Sequence, residues 1–331
     1  MIVGITYDLR EDYLAEGYGE EETAEFDRPD TIEGIAGALA AMGFEVERIG
    51  NFKRLIAALV EGRGRWDIVF NIAEGLYGMG REALVPTLLD AYRIPYVFSD
   101  PLALTVALHK GMAKRVVRSA GVVTPDFAEI AAIEDVVGVR LPFPVFAKPV
   151  AEGTGKGIGG ASKVESREEL ERAAARLLAQ FRQPVLVEAF LPGREFTVGV
   201  LGTGRDARAV GVMEIVFNRD GQEQTYSYFT KAHYETEVAY RLVEDGPADA
   251  CGELSLRVWR ALGCRDGGRV DVRLDASGVP NFIEVNPLAG LNPTHSDLPI
   301  LCRLAGMSFQ QLVREIMRSA MARSGLAWNW D

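Results

Sequence analysis

The sequence predicts an α/β protein of two or three domains, and three observations carry that prediction. Helix-like and strand-like segments alternate along the first hundred residues, which is typical of a parallel sheet with helices on its faces. Further on, strands joined by glycine-rich turns are mixed with a few helices, which favours an α+β arrangement there. With 331 residues, the chain is longer than a single hydrophobic core usually serves.

The first segment, up to about residue 101, reads as an open sheet with three helices. Its predicted strands are MIVGITYD, EVERIG, WDIVFNI and IPYVFS. Its predicted helices are TIEGIAGALAAMGF, LIAALVEG and EALVPTLLDAYR. Ligands of parallel sheets gather at the carboxyl ends of the strands, so we expect Asp8 and the residues after Asn71 at the mouth of a site.

The second segment, to about residue 187, predicts a small sheet with a glycine-rich loop. LTVALHKGMAKRVVRSAG reads as one basic amphipathic helix, and SREELERAAARLLAQF as a second helix. FPVFAKP and VLVEAF read as strands, and the first of them leads into the glycine-rich hairpin AEGTGKGIGGASKV.

The third segment, from about residue 188, predicts an antiparallel sheet and two helices. Its predicted strands are REFTVGVLG, ARAVGVMEIVF and the two arms of RVDVRLDASGVPNFIEVN. TYSYFTKAHYETEVAY reads as a long loop. Helices are predicted over residues 247–262 and over SFQQLVREIMRSAMARSG.

Composition excludes several classes of function. The net charge of −11 argues against broad nucleic-acid binding, which depends on clustered Lys and Arg. No apolar run is long enough to span a membrane, and the first residues lack the profile of a signal peptide. The three cysteines form no CxxC pair, so we expect neither disulfides nor a zinc site. A reducing, cytoplasmic location is the expectation that follows.

The hairpin RVDVRLDASGVPNFIEVN places like charges together. If its turn is symmetric about Ser277-Gly278, Asp271 faces Glu284. Facing carboxylates repel each other unless a cation lies between them, and Mg²⁺ prefers such oxygen ligands. The same face carries Asn286 as a further ligand and Arg269 as a donor to an oxyanion. Rim carboxylates in another register are the alternative.

The glycine-rich loop fits phosphate binding better than it fits dinucleotide binding. GTGKGIGG satisfies GxGxxG, but strand-like ASKV follows where a dinucleotide site needs a helix. Val150 stands where the Walker A pattern needs its first glycine. What is left is a loop whose backbone amides, with Thr154, Gly155 and Lys156, are able to wrap phosphates. A solvent-exposed hairpin is the alternative for this motif alone.

Three charged residues near this loop are candidates for nucleotide contacts. Lys148 ends an apolar strand, where an unpaired ammonium is costly to bury. Glu188 and Glu195 flank the FLPG turn, where they are placed to accept hydrogen bonds from a base and a ribose. A lysine that extends to solvent and two surface carboxylates are the alternative interpretation.

Four motifs in order resemble the D-alanine–D-alanine ligase family of ATP-grasp ligases, over nearly the whole chain. They are DIVFNIAEGLYGMGREALVPTLLDAYRIPYVFSDPLALTVALHK, LPFPVFAKPVAEGTGKGIGGASKV, VLVEAFLPGREFTVGVLG and RVDVRLDASGVPNFIEVNPLAGLNPTHSDLP. The resemblance implies an N-terminal Rossmann-like substrate domain (1–101), a central ATP-grasp subdomain with the glycine-rich loop (102–187) and a C-terminal ATP-grasp subdomain with a metal site (188–331).

The resemblance also implies roles for single residues. The ATP phosphates and the nucleotide would be held by Lys110, Lys148 and the loop at Thr154, Gly155 and Lys156, and the adenine amino group and the ribose by Glu188 and Glu195. Two Mg²⁺ ions (or Mn²⁺) would be bound by Asp271, Glu284 and Asn286, and the tetrahedral intermediate would be stabilised by Arg269 and Gly290. Lys231 would contact the transferred phosphoryl group, and Ser296 would hold the carboxylate of the second substrate. The implied reaction joins two amino acids through an acyl phosphate, for peptidoglycan synthesis.

The departures from the family pattern lie on the substrate side. The family's N-terminal stretch that anchors the first amino group is absent, and its Leu-His-Gly is Ala73-Glu74-Gly75 here. We expect Glu74 to bind the ammonium instead, with Arg81 or Glu82 contributing nearby; an exposed loop residue is the alternative. After Lys231, where the family has a tyrosine on a mobile loop, this sequence has Ala232, and His233 becomes a candidate substrate-binding residue, or a solvated one.

These departures leave the substrates and the partners open. The same mechanism acting on other amino acids or on a peptide is one alternative, and a non-catalytic nucleotide-binding protein is another. The complete set of Lys148, Asp271, Glu284 and Asn286 favours catalysis over binding alone. The expected partners are small amino-acid substrates, with no nucleic acid and no membrane, and a homodimer is suggested by the resemblance only.

Overall fold

A computed structural model describes residues 1–217 and 238–330 of the chain. Its first sheet is parallel, as predicted, with the strand order β2-β1-β3. The strands are β1 (Ile2–Thr6), β2 (Glu45–Gly50) and β3 (Ile68–Asn71). The helices around them are α1 (Arg10–Ala15), α2 (Pro29–Ala41), α3 (Phe52–Val60) and α4 (Leu84–Tyr92).

Strand β3 is buried on both faces, because its side chains alternate between two apolar clusters. Ile68 and Phe70 of β3 pack with α2 residues in one apolar cluster. Val69 between them packs with α3 and α4 residues in another.

The predicted fourth strand, IPYVFS, is wrong: only a single bridge between Val69 and Tyr96 forms. The N–H of Val97 donates to Val69 O at 2.8 Å, and the chain then leaves the sheet. Phe98 takes the left-handed conformation (φ 76°), and its N–H donates to Asp266 Oδ2 at 2.8 Å. A distant carboxylate therefore ends the pairing.

The predicted single helix around His109 is also wrong, because the chain breaks there into α5 (Pro101–Leu108) and α6 (Lys110–Ser119). His109 has a ψ of 91°, outside the helical region, and its Nδ1 accepts the N–H of Met112 at 3.2 Å as an N-cap. The N–H of Lys110 donates to Val150 O at 3.0 Å. The break turns Lys110 toward the glycine-rich loop.

The central sheet is antiparallel, with the order β4-β7-β5-β6. Its strands are β4 (Phe127–Ile130), β5 (Val145–Pro149), β6 (Lys163–Val164) and β7 (Val185–Ala189). Helix α7 (Arg167–Phe181) covers one face. The predicted glycine-rich hairpin joins β5 to β6, and β6 is only two residues long.

The C-terminal sheet is antiparallel, with the order β10-β9-β8-β11-β12. Its strands are β8 (Glu195–Leu201), β9 (Arg208–Phe217), β10 (Val238–Leu242), β11 (Gly267–Leu274) and β12 (Pro280–Asn286). Its helices are α8 (Gly246–Ala261), α9 (Asp297–Leu304) and α10 (Phe309–Arg323). Trp259 of α8, fully buried, centres the core on one face.

The β11–β12 hairpin keeps the predicted facing pairs near its open end. Asp271 faces Glu284, and Arg269 faces Asn286. The symmetric register fails beyond them, because a bulge follows Asp271 and Val272 faces Phe282 instead. The predicted alignment of the two carboxylates is therefore confirmed, although the hairpin is not symmetric.

The predicted boundaries at 101/102 and 187/188 stay predictions, and β7 runs across the second of them. In the part of the chain that the structure describes, no helix is long and apolar enough to cross a membrane.

Candidate active site

Two adjoining cavities lie between the central sheet and the β11–β12 hairpin. The first is lined by apolar residues that suit a flat ring, and by charged groups of β5, β7, β8 and β11. The apolar lining includes Phe146, Ile158, Phe190, Leu191 and Ile283. The second cavity runs toward the N-terminal sheet and is lined mainly by polar groups. Lys110, Glu152 and Glu284 line both cavities.

Glu188 of β7 lies between two lysines. Its Oε2 is 2.7 Å from Lys148 Nζ, and its Oε1 is 2.5 Å from Lys114 Nζ. Burial by itself would raise the pKa of Glu188, but the two ammonium groups hold that pKa below its ordinary value. Burial lowers the pKa of Lys114 to about 8 despite Glu188, whereas Lys148, which burial would also lower, has its pKa raised by Glu188 and Glu284.

Glu195 opens β8 at the rim of the first cavity. Its Oε2 is 3.0 Å from Nη1 of Arg273, whose Nε donates to Gly193 O at 3.2 Å. The Arg273 guanidinium lies 5.4 Å from the centroid of the Phe190 ring. The pair fixes both side chains at the edge of the apolar pocket.

Asp271 collects three donors on the hairpin face. Its Oδ1 accepts Thr197 Oγ1 at 2.9 Å, and its Oδ2 accepts Arg269 Nη1 and, at 3.4 Å, Asn286 Nδ2. Arg269 Nε also lies 3.8 Å from Asp297 Oδ2 at the start of α9. Burial opposes the charge of Arg269, but Asp271 and Asp297 raise its pKa, so the guanidinium stays protonated.

Lys110 connects the hairpin to the glycine-rich loop. Its Nζ is 3.5 Å from Glu284 Oε2 and donates to Glu152 O at 2.5 Å. Because Lys110 lines both cavities, one ammonium borders the two spaces.

The glycine-rich loop takes left-handed conformations at Thr154 (φ 52°) and Gly155 (φ 72°). Thr154 lines the second cavity and Gly155 the first. Lys156 is buried, with its Nζ 2.5 Å from Glu152 Oε2 and 3.4 Å from Glu25 Oε1. Glu25 Oε1 also accepts the N–H of Gly153 at 2.6 Å, so a residue of the N-terminal region fixes the start of the loop.

Three glutamates give the second cavity an acidic wall. Glu25 is paired with Arg81 at 3.1 Å; burial would raise its pKa, but Arg81 and Lys156 hold it below its ordinary value. Burial raises the pKa of Glu74 well above its ordinary value and that of Glu82 to about 7, and neighbouring carboxylates add to both shifts. Arg81 and Lys110 oppose the shift of Glu82 without cancelling it, so Glu74 and Glu82 both favour the neutral, protonated form more than an exposed glutamate does.

The other predicted substrate residues have mixed placements. Arg81 binds protein groups, donating to Ala151 O at 2.9 Å besides its pair with Glu25. Ser296 lies next to Gly290: a Cβ built on Gly290 would stand 2.9 Å from Ser296 Oγ, which accepts the N–H of Asn292 at 3.0 Å. Lys231 and His233 lie outside the described residues.

This chain is similar in sequence to known ligases, and the similarity includes the strands that carry the site. The family described as "D-ala D-ala ligase C-terminus" matches residues 116–318. A D-alanine–D-alanine ligase of Bordetella petrii is 33% identical over 299 residues, covering 88% of this chain and 86% of that protein. One of Aquifex aeolicus is 34% identical over 289 residues, covering 87% and 93%. The chain belongs to the D-alanine–D-alanine ligase family.

Solved structures of the family share the fold. A D-alanine–D-alanine ligase of Bacillus anthracis, crystallised with ATP, superimposes with a TM-score of 0.73 over 98% of this chain and 99% of its own, at 21% identity. The VanG D-Ala:D-Ser ligase of Enterococcus faecalis gives a TM-score of 0.71 over 97% and 99%, also at 21% identity. The predicted ATP-grasp fold, with its N-terminal parallel sheet, is confirmed.

Within this ligase fold, sequence reasoning missed several residues that build the site. Glu25, Lys114, Glu152, Thr197, Arg273 and Asp297 all contact predicted site residues. For two of them the sequence contained a signal. Arg273 is two residues after Asp271 on the same strand, and Thr197 lies opposite Asp271 on the neighbouring strand, so strand alternation places both on the face of Asp271. Glu25 and Lys114 carried none, because Glu25 meets Arg81 and Lys114 meets Glu188 across more than 50 residues of chain.

Proposed function

We propose that this chain is an ATP-dependent ligase that joins two amino acids into a dipeptide, with the reaction of D-alanine–D-alanine ligases. The observation that carries the proposal is the pair of adjoining cavities bordered by Lys110, Glu152 and Glu284. One cavity has the apolar lining that suits a base, and the other has the acidic wall that suits an ammonium group.

In this proposal ATP lies in the first cavity, with its base among the apolar residues and its ribose toward Glu195. Lys148 and Lys110 offer ammonium groups where the phosphates lie, and the amides after Gly153 close over them. Each carboxylate oxygen of Glu188 contacts a lysine, so the main role of Glu188 is to orient Lys148. A contact of Glu188 with the adenine amino group would be additional.

The residues of the hairpin fit Mg²⁺. Asp271 and Glu284 face each other on β11 and β12, and Asn286 adds an amide oxygen. In the described residues no group of three His, Cys, Asp or Glu side chains forms a cage for a metal. Two carboxylates and an amide are therefore an open set of ligands, which suits an ion that also binds phosphates and water. When bound, Mg²⁺ neutralises the charge of the transferring phosphoryl group.

The first amino acid, the donor, lies in the second cavity in this proposal. Its ammonium meets Glu74 and Glu82: burial raises the pKa of both carboxyls in the unliganded cavity, and a bound ammonium favours their charged forms. Its carboxylate points to the border with the first cavity. An oxygen of that carboxylate attacks the γ-phosphorus of ATP, the bond from the bridging oxygen to that phosphorus breaks, and ADP leaves.

The second amino acid, the acceptor, then attacks the carbonyl carbon of the acyl phosphate. The carbon–nitrogen bond forms, the bond from the carbonyl carbon to the phosphate oxygen breaks, and the amine loses a proton. Arg269 and the backbone near Gly290 stabilise the negative oxygen of the tetrahedral intermediate, and Ser296 helps to hold the acceptor. Exclusion of water protects the acyl phosphate, since hydrolysis would waste it.

The experiment that tests this proposal measures Mg²⁺-dependent ADP release with pools of D- and L-amino acids, with mass spectrometry of the products. We expect ADP release with D-alanine and formation of a D-alanyl-D-alanine peak. Turnover with another pool alone would keep the mechanism and reassign the substrates. Absence of amino-acid-dependent turnover with every pool would contradict the proposal and favour a nucleotide-binding protein.

Variants connect this activity to the site. Glu284→Gln removes one of the facing carboxylates, so we expect kcat to fall by about a hundredfold or more and the Mg²⁺ dependence to shift upward. Glu253→Gln, on the exposed face of α8, is the matched control. Glu74→Gln should raise the KM of the donor by about tenfold, and an unchanged donor KM would contradict the role of Glu74.

A further inference from the structure

Lys114 of α6 has no part in the reaction as proposed above, yet it is fully buried beside the first cavity. Besides Glu188, its Nζ contacts Thr124 Oγ1 at 2.9 Å and Phe282 O at 3.2 Å. It lines neither cavity. Burial of an ammonium group destabilises the folded state unless its charge is compensated, so a functional role for Lys114 is worth testing.

Glu188 passes the influence of Lys114 to the cavity. The carboxylate is buried, and its two oxygens contact one lysine each, at 2.5 Å and 2.7 Å. The three side chains together carry a net charge of +1. Of these three side chains, Lys148 and Glu188 line the first cavity.

We infer that Lys114 is a positioning residue for ATP: it neutralises Glu188, so that the positive charge of Lys148 is left for the phosphates. Without Lys114, Lys148 and Glu188 form a neutral pair, and the cavity loses a unit of charge near the phosphates. At a short distance in a partly desolvated site, a unit charge changes anion affinity strongly. The inference rests on the proposed function, because it takes Lys148 to face ATP phosphates.

A purely structural role for Lys114 makes a different prediction from this electrostatic one. Its hydrogen bonds to Thr124 and Phe282 hold α6 against β12 whatever the ligand is. Loss of those bonds would weaken the binding of every ligand of the cavity alike. Loss of charge should weaken triphosphate binding and spare adenosine, which carries no phosphate.

The test measures the dissociation constants of ATP and adenosine by calorimetry for the full-length protein and its variants. Lys114→Met should lower the ratio of ATP affinity to adenosine affinity by about tenfold or more. Lys114→Met combined with Glu188→Gln restores the net charge of +1 and should return the ratio to the wild-type value. Glu188→Gln alone should raise the ratio.

Arg115→Met is the matched control, because Arg115 is the next residue of α6 and its charge pairs with Glu129 at the surface. Its ratio should equal that of the wild type. A Lys114→Met ratio equal to the wild type's, or a double variant no better than Lys114→Met, would overturn the inference. If Lys114→Met does not fold, the double variant, which no longer contains the unbalanced carboxylate, decides by the same ratio.

Failure of the proposed function looks different. A wild-type protein that binds no ATP would overturn the proposed function itself. A Lys148→Met variant with an unchanged ratio would show that Lys148 does not face the phosphates, which removes the basis of the inference while amino-acid-dependent ADP release would still support the ligase.

Discussion

At the scale of single residues, the site is governed by which charges have partners. Glu25 has two cations and keeps a low pKa, while Glu74 and Glu82 in the same wall have raised pKa values. Burial favours the neutral form of these two carboxyls, and a nearby ammonium would favour their charged form. In the proposed function, that ammonium belongs to the donor amino acid.

Glu82 should make the stability of the unliganded protein fall as the pH rises. Its folded pKa of about 7 exceeds the unfolded value of about 4.3, so between these values the folded state binds the extra proton. The stability contributed by the protonated form is therefore fully present below about pH 4.3 and is lost as the pH rises through about 7. Glu82→Gln should be more stable than the wild type at pH 8, by roughly 1 to 3 kcal/mol.

Urea unfolding at pH 5.5 and pH 8 measures this effect. Glu45→Gln, on the exposed edge of the N-terminal sheet, is the control. Parallel pH dependences for the wild type and Glu82→Gln would contradict the predicted titration.

At the scale of secondary structure, the site depends on where elements end. Lys110 follows the break between α5 and α6, and Glu284 lies past the bulge that resets the register of β12. The helical pattern of apolar residues runs through His109 without interruption, so the sequence predicts one helix. The break forms because the N–H of Lys110 pairs with Val150 O, a tertiary contact.

His109→Ala should weaken the start of α6. The substitution removes the side-chain acceptor for the N–H of Met112, and loss of an N-cap costs about 1 kcal/mol. His109→Asn keeps an acceptor and should restore most of the free energy of unfolding. Urea denaturation measures both variants, and equal stability of His109→Ala and His109→Asn would contradict the capping role.

At the scale of the whole molecule, a buried hub joins the N-terminal and C-terminal parts. Asp266, fully buried, lies 2.8 Å from Arg323 Nη2 at the end of α10, and Ser319 Oγ donates to it at 2.8 Å. It also accepts the N–H of Phe98 from the N-terminal part. One carboxylate thus fixes the position of the N-terminal unit, and with it the acidic wall, relative to the hairpin.

Asp266→Asn should destabilise the protein by about 3 kcal/mol or more, since it leaves the partly buried Arg323 without its counter-charge. Thermal and urea unfolding measure the loss. Asp206→Asn, exposed in the nearby turn, should change the free energy of unfolding by less than about 0.5 kcal/mol. A loss of similar size in both variants would contradict the hub.

Much of the fold and part of the site were predictable, because short-range patterns encode them. Alternation within RVDVRLDASGVPNFIEVN aligned Asp271 with Glu284, and glycines with no following helix marked the loop at Gly155. Membership of the ligase family followed from four such motifs in order. Each of these signals lies within one continuous stretch of chain, the longest being residues 67–110, and local backbone geometry determines which side chains of such a stretch share a face.

The sequence by itself determined most strands and helices, the facing carboxylates and the family of this protein. Only the tertiary structure decided the break at His109, the end of pairing after Tyr96 and the partners of each buried charge. Lys114 meets Glu188 and Glu25 meets Gly153 because separate elements pack together. The physical reason is that burial and distance set the strength of charge interactions, and both arise only when distant parts of the chain are brought into contact.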